Sequence, residues 1–310
     1  MDSRILPAHT RMWRTEQLAA AGFTSRSIGR LVQEGGLVRL RRGCYVRGDW
    51  WGTLHPDARA RVMVHAHSHG TLTTSAGGFV YSHTSAARLR KLTLWRADGR
   101  IHLTQETTPS KCTHGAGVVA HTRKLMPEDK SFVAGLPCTS LERTVIDCSL
   151  MFNVRQALIL VDHASHLGAD LAALRRRCAA LSGRNGVVAL RRALELADPL
   201  CESAGESLTR ELLVRLNIEA PESQFEADSP AGRHRMDFAW PKRKVALEFD
   251  GKTKYFDYRP TEEVLFQERR REKALMEMGW VFIRVEWKHL FRETEFKYRV
   301  LRAFERGSQG

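Results

Sequence analysis

Long hydrophobic runs are missing from this 310-residue chain. No apolar stretch approaches the roughly 18 residues a membrane-spanning helix needs, so no membrane association is expected. The opening residues, MDSRILPAHTRMWRTEQ, lack the apolar centre of a secretory signal, and a cytoplasmic location is expected. Cysteine is sparse and scattered: six thiols, at 44, 112, 138, 148, 178 and 201, with no C-x-x-C pair. That spacing argues against a disulfide scaffold or a zinc ribbon and for reduced thiols. There is no glycine-rich phosphate loop, dinucleotide fingerprint or internal repeat. Ser82-His83-Thr84-Ser85 has no nucleophile-elbow glycines, so His83 reads as part of a helix-start packing motif. His65, His67 and His69 have no carboxylate near them in sequence. On a helix only the first and last share a face, which favours solvated or core histidines over a metal site.

What the chain does have is positive charge, unevenly placed. The net charge is +14, and residues 1–200 carry +13 of it, while residues 201–310 are nearly balanced. A basic excess of this kind points to a polyanion, because neutralising phosphates releases condensed counterions. DNA is the expected partner.

Carboxylates concentrate in one stretch, RMDFAWPKRKVALEFDGK, from Arg235 to Lys252. It reads as two strands joined by a tight basic turn at Pro241-Lys242-Arg243-Lys244. Side chains alternate along a strand, so Val245, Leu247 and Phe249 fall on one face, and Ala246, Glu248 and Asp250 on the other. Asp237 on the first strand brings a third carboxylate to the same patch. Like charges so close repel unless something positive lies between them, and hard oxygen ligands suit a divalent cation. Upstream, Glu206 starts an amphipathic helix bearing Leu208, Leu212, Leu213 and Leu216. Downstream, a charged helix from Glu262 to Glu277 leads to a strand-like Val281 to Val285.

This order of helix, hairpin, helix and strand resembles the PD-(D/E)XK nuclease fold, in the branch of the very-short-patch-repair endonucleases. The pieces that match are GES at 205–207, MDFAWP at 236–241, ALEFDGK at 246–252 and RRREKALMEMGWVFIRV at 269–285. They cover about the last third of the chain. The resemblance implies a Mg²⁺ (or Mn²⁺) site held by Asp237, Glu248 and Asp250, with Glu206 completing the shell. It also implies that Gln224 precedes the first strand. One departure stands out: the lysine expected two residues after Glu248 is replaced by Asp250, and Lys252, two residues further on, is the remaining candidate for contacting phosphate. A second metal ion could supply the missing charge.

At the other end, Trp13 to Ala20 reads as a short helix broken by Gly22. Thr24 or Ser25 can cap a second helix with Ile28, Leu31 and Val32 inward, and Leu37 to Val46 alternates as a hairpin wing. Two helices followed by a wing describe a winged helix-turn-helix. Its second helix would present Arg26 and Arg30, with Ser25, Ser27 and Gln33, to a major groove. Arg39, Arg41, Arg42 and Arg47 would meet phosphates. This stretch, with SHTSAA at 82–87, GLP at 135–137, Thr139-Ser140 and RTVID at 143–147, is similar to AbiEi-type antitoxins. That resemblance implies operator binding, and a cognate toxin or self-association as a further partner.

The middle is read more coarsely: helices over 56–69 and 79–90, strands at 100–103 and 117–121, and mostly helix over 139–200. The basic run Arg175-Arg176-Arg177 reads as a solvated helix face. The expected architecture is therefore multi-domain α/β. A winged helix-turn-helix spans 1–50, a mixed α/β and helical region 51–200, and a restriction-endonuclease-like domain 201–310. The expected function is a metal-dependent endonuclease acting on DNA. The alternative is a regulator or antitoxin that keeps the nuclease fold as scaffold.

Overall fold

The computed structural model describes residues 12–71, 78–106, 117–251 and 262–307. The chain divides into two compact units, residues 1–148 and 149–310, and its described strands form three sheets. The expected mixed α/β architecture is therefore present. No described helix is long and apolar enough to cross a membrane.

The first unit begins with β1 (Met12–Arg14), α1 (Thr15–Ala20), α2 (Ser25–Gln33), β2 (Leu37–Arg41) and β3 (Cys44–Arg47). α2 starts where Thr24 Oγ1 accepts from Ser27 N while Ser27 Oγ accepts from Thr24 N, two otherwise orphaned donors satisfied reciprocally. It ends near Gly35, whose φ of +76° suits glycine alone without strain. Trp13, Leu18, Phe23, Ile28, Leu37 and Tyr45 form one buried cluster. Burying each such side chain contributes about 1.5–3 kcal/mol relative to exposure. Trp13 does not belong to the first helix as expected. It sits on β1 opposite Tyr45, where strand pairing and burial of the indole outweigh helix continuation.

The unit continues through α3 (Gly48–Thr53), α4 (Pro56–Thr71), β4 (Phe79–Tyr81), α5 (His83–Leu89), β5 (Ile101–Gln105), β6 (Val118–Thr122), β7 (Lys130–Val133), β8 (Leu136–Thr139) and α6 (Leu141–Ser149). β4 to β8 make a five-stranded sheet in the order β6-β5-β4-β8-β7. The single helix expected over 79–90 is a strand and a helix, because Phe-Val-Tyr pairs with β5 before the chain turns at Ser82. The β7–β8 hairpin was not expected. Ala134 and Gly135 both have positive φ, 50° and 76°, the backbone that a two-residue hairpin turn requires.

The second unit opens with α7 (Val154–His166), α8 (Leu171–Ala179), α9 (Val187–Leu196) and α10 (Ala204–Arg215). Asn153, Asp170 and Ser203 cap α7, α8 and α10 with side-chain oxygens. β9 (Glu222–Ser229), β10 (Gly232–Trp240) and β11 (Val245–Phe249) then run antiparallel in turn. After α11 (Glu262–Glu277), β12 (Val281–Val285) pairs parallel with β11, and α12 (Glu293–Gly307) closes the unit. The helix between β11 and β12 follows from that parallel pairing, which a tight turn cannot connect. α11 lays Leu275 on Met236, Ala239 and Ala246. Trp240 meets Phe304 of α12 edge-on, with ring centroids 4.9 Å apart. Gln224 precedes the Asp237-bearing strand β10, as the resemblance implies, but it lies within a further strand, β9, and its φ is +52°.

α10 approaches β11 very closely at Gly205. A Cβ there would stand 1.9 Å from Phe249 Cε1, and Phe249 is itself packed edge-on against Trp287, with ring centroids 5.2 Å apart. Alanine is favoured over glycine in a helix by about 1 kcal/mol. The steric conflict outweighs this, so Gly205→Ala is expected to destabilise the protein by about 1–3 kcal/mol, read as a lower urea midpoint. An unchanged or raised midpoint would show that the Phe249 ring yields freely.

Candidate functional site

In the second unit, the antiparallel β10–β11 pair and the middle of α11 frame an open cleft of about 550 Å³. Asp237, Glu248 and Asp250 all line it, with Glu268 and Glu272 of α11 and a ring of cations: Arg233, Arg235, Arg269, Arg271 and Arg284. Strand register explains the convergence. Phe238 pairs with Leu247, which places Asp237 and Glu248 across from each other at the open end of the hairpin. On the other side of β11, Glu248 pairs with Arg284 of β12.

The carboxylates are held by specific partners. Phe249 N donates to Asp237 Oδ2 at 2.8 Å. His234 Nε2 donates to Glu248 Oε1 at 2.9 Å, and Arg284 Nη2 lies 3.7 Å from Glu248 Oε2 and 2.6 Å from Glu272 Oε2. Asp250 N bonds to Val285 O at 2.8 Å, so the backbone carrying its side chain is tied to β12. Arg271 Nε is buried and has no hydrogen-bond partner among the described residues.

Glu206 is elsewhere. Its Oε1 accepts from Ser203 Oγ at 2.6 Å, and its Oε2 accepts from Glu202 N at 2.9 Å and Gln224 Nε2 at 3.0 Å. It is 2% exposed and does not line the cleft, serving to cap α10 and to fasten β9 to it. Gln224 Oε1 is buried and has no hydrogen-bond partner among the described residues. Lys252, the candidate phosphate contact, lies outside the described residues. Three of the five expected catalytic residues thus share one cleft.

A divalent cation fits this donor set in kind. Asp237, Glu248 and Asp250 supply the hard oxygens that Mg²⁺ takes, and Mg²⁺ keeps several waters rather than demanding an all-protein cage. The three carboxylates are not drawn together as a preformed ligand group. Among the described residues, only His83, His102 and His121 place three ligand atoms within 4.8 Å of one another. Glu248 would exchange its His234 or Arg284 contact to bind metal.

In the first unit, Arg26 and Arg30 are exposed on α2, and Arg39 and Arg42 on the β2–β3 hairpin, with Arg41 half-buried. Arg30 Nε lies 3.9 Å from Glu34. Arg47 is tied to Asp49, its Nε donating to Asp49 Oδ1 at 3.0 Å, which occupies it locally. On α4, His67 is a buried core histidine whose Nδ1 lies 2.8 Å from the Tyr81 hydroxyl.

The histidine group was missed from sequence. His83 begins α5, His102 lies on β5 and His121 on β6, and no spacing rule links them. Their rings stack, His83 on His121 with centroids 3.7 Å apart and His102 on His121 at 5.3 Å. Burial, then the neighbouring rings, push His83 down to about 2, and burial first pushes His121 down to about 4.

No family model matches the chain. It is similar to two proteins of Mycobacterium tuberculosis strains, "Uncharacterized protein MT2308" and "Uncharacterized protein Rv2248". Each is 26% identical over 291 residues, covering 92% of this chain and 98% of the other. Among solved structures, "Crystal structure of RV2827C protein from Mycobacterium tuberculosis" matches over 72% of this chain and 85% of that one. Its TM-score is 0.36 at 17% identity, too low to carry a fold assignment.

Proposed function

We propose that the second unit is a metal-dependent endonuclease domain of the PD-(D/E)XK type, and that the first unit binds DNA through a winged helix-turn-helix. The single observation that carries the nuclease reading is the grouping of Asp237, Glu248 and Asp250 with five arginines around one cleft of about 550 Å³. Carboxylates alone would repel a phosphodiester, and arginines alone would only bind it. The two together suit a site that holds a cation and an anionic backbone at once.

In this reading Asp237, Glu248 and Asp250 hold Mg²⁺ or Mn²⁺. The cation would supply a bound water of lowered pKa and positive charge against the phosphoryl oxygens. Arg269 and Arg271 reach the phosphate from α11, and the unpartnered Nε of Arg271 has a donor to give. His234 holds Glu248 oriented until the cation takes its oxygen, and Arg284 keeps Glu272 neutralised at 2.6 Å. The test is nicking of supercoiled plasmid by the intact chain. Cleavage that requires Mg²⁺ or Mn²⁺ and stops with chelator supports the reading, and its absence across both metals and a range of DNA forms overturns it.

The regulator reading has its own observation: Glu248 is already engaged by His234 and Arg284, as in a site retained for structure. It shares the DNA-binding half, where exposed Arg26 and Arg30 sit on the capped helix α2. If they contact phosphate, Arg26→Ala and Arg30→Ala each lower the slope of log affinity against log salt by about 1. Fluorescence anisotropy on a labelled duplex reads this. Unchanged slopes in both variants would remove α2 from the interface.

A further inference from the structure

We propose that His83, His102 and His121 form a Zn²⁺ site in the first unit, distinct in chemistry from the carboxylate cleft and independent of the nuclease reading. The three imidazoles come from α5, β5 and β6, and each offers a nitrogen within 4.8 Å of the other two. His102 Nδ1 and His121 Nε2 are 3.0 Å apart. Two nitrogens on one tetrahedral Zn²⁺, with bonds of 2.0–2.1 Å, stand about 3.3 Å apart. Seating a cation asks for a small increase in this separation and a tilt of His121 out of its stack on His83, so that lone pairs lying in the ring planes converge on one point.

The outward sides of the rings are already arranged as a metal's supporting groups would be. His102 Nε2 lies 3.4 Å from Asp98 Oδ1, a carboxylate–imidazole pairing that fixes Nδ1 as the ligating atom. His83 Nδ1 lies 2.9 Å from Ser82 Oγ, which also accepts from Thr104 Oγ1 at 2.8 Å. With Nδ1–H donated to Ser82, His83 Nε2 presents a lone pair, and no described residue hydrogen-bonds to that nitrogen. His83 holds this pose with a φ of +48°, a left-handed backbone that a non-glycine residue rarely adopts and that concentrates at functional positions.

A packed histidine cluster with no ligand is the competing account. It explains burial but gives no reason for the strained backbone at His83, or for two of the rings, His102 and His83, having their second nitrogens on a carboxylate and a hydroxyl. The nearby cations are largely compensated. Arg100 pairs with Asp98 at 2.7 Å, and Arg143 with Asp129 and Asp147 at 2.8 and 3.0 Å, while Arg123 also lies within electrostatic reach. Neutral imidazole is the form that ligates, and it suits Zn²⁺, Cu²⁺ or Ni²⁺ better than Mg²⁺. Three histidines leave a fourth position of the tetrahedron for water or a small anion.

The test uses the full chain, stripped with chelator and titrated with Co²⁺ as a visible probe, then back-titrated with Zn²⁺. The expected result is tetrahedral ligand-field bands that saturate at one equivalent of Co²⁺, distinct from the weakly coloured octahedral Co²⁺ that an all-oxygen cleft would take, with no thiolate charge-transfer band and full displacement of the tetrahedral bands by Zn²⁺. His121→Ala, on the edge strand β6 and checked for retained folding by circular dichroism, is expected to weaken binding at least about tenfold. His102→Gln should do the same, and Asp237→Asn should leave the spectrum unchanged. A chain that takes up no Co²⁺ or Zn²⁺, a spectrum with thiolate bands, or equal affinity in His121→Ala would overturn the proposal.

Discussion

Asp237→Asn and Glu248→Gln are each expected to lower Mg²⁺-dependent nicking by about 100-fold or more, the scale of losing one group that stabilises developing charge at a reacting centre. The two carboxylates stand on neighbouring strands of one hairpin, and no other described residue lining the cleft takes their places between β10 and β11. Their roles differ in one measurable way. Asp237 Oδ2 accepts from Phe249 N, so Asp237→Asn keeps an oxygen for that bond and should leave stability nearly unchanged. Glu248 accepts from His234 Nε2 and lies 3.7 Å from Arg284 Nη2, so Glu248→Gln removes a charged partner from both contacts and lowers stability modestly. A wild-type chain that never nicks, with Glu248→Gln losing stability alone, is the outcome the scaffold reading expects.

The second large effect lies away from the cleft. Asp162 on α7 is 1% exposed at its side chain, accepts from Arg210 Nη2 at 2.6 Å, and takes Asp198 N at 2.9 Å. Removing one partner of a buried pair leaves an uncompensated charge and typically costs about 3–5 kcal/mol. Arg210→Met is therefore expected to lower stability by about that amount, read by urea unfolding. Burial already pushes the Asp162 carboxyl above its ordinary value, more than the Arg210 guanidinium pulls it down. Without Arg210 it rises further. A carboxyl raised in the folded state penalises folding increasingly as pH climbs from the unfolded value through the folded one. The variant's deficit should thus be smaller at pH 5 than at pH 8. A pH-independent deficit would mean that lost packing, not charge, is responsible.

Much of the second unit was legible because its signals are local. Alternation around Glu248, the basic turn at Pro241 and the charged helix from Glu262 each depend on neighbours in sequence, and each reappears in the structure. β9 was missed because Glu222 to Ser229 is polar and edge-placed, so burial leaves little periodicity in it. Glu206 looked like a fourth ligand by order and spacing. Only the fold reveals that Ser203, Glu202 and Gln224 claim both its oxygens. In the first unit α2 was announced by its Thr24 cap, whereas the hairpin over 130–139 turns on a backbone that Ala134 gives no sign of adopting. The histidine group was invisible for a different reason: strands β5 and β6 and the start of α5 meet only through sheet pairing, and that is long-range information.

Metal uptake by the cleft is the most direct test, and Mn²⁺ paramagnetic resonance on the His121→Ala chain isolates it from the histidine cluster. The account predicts that the intact carboxylate cleft depletes the free Mn²⁺ signal and that Asp237→Asn restores it. A signal indistinguishable from buffer, or Mn²⁺ retained equally when Asp237 and Glu248 are both neutralised, would contradict a cation site between β10 and β11.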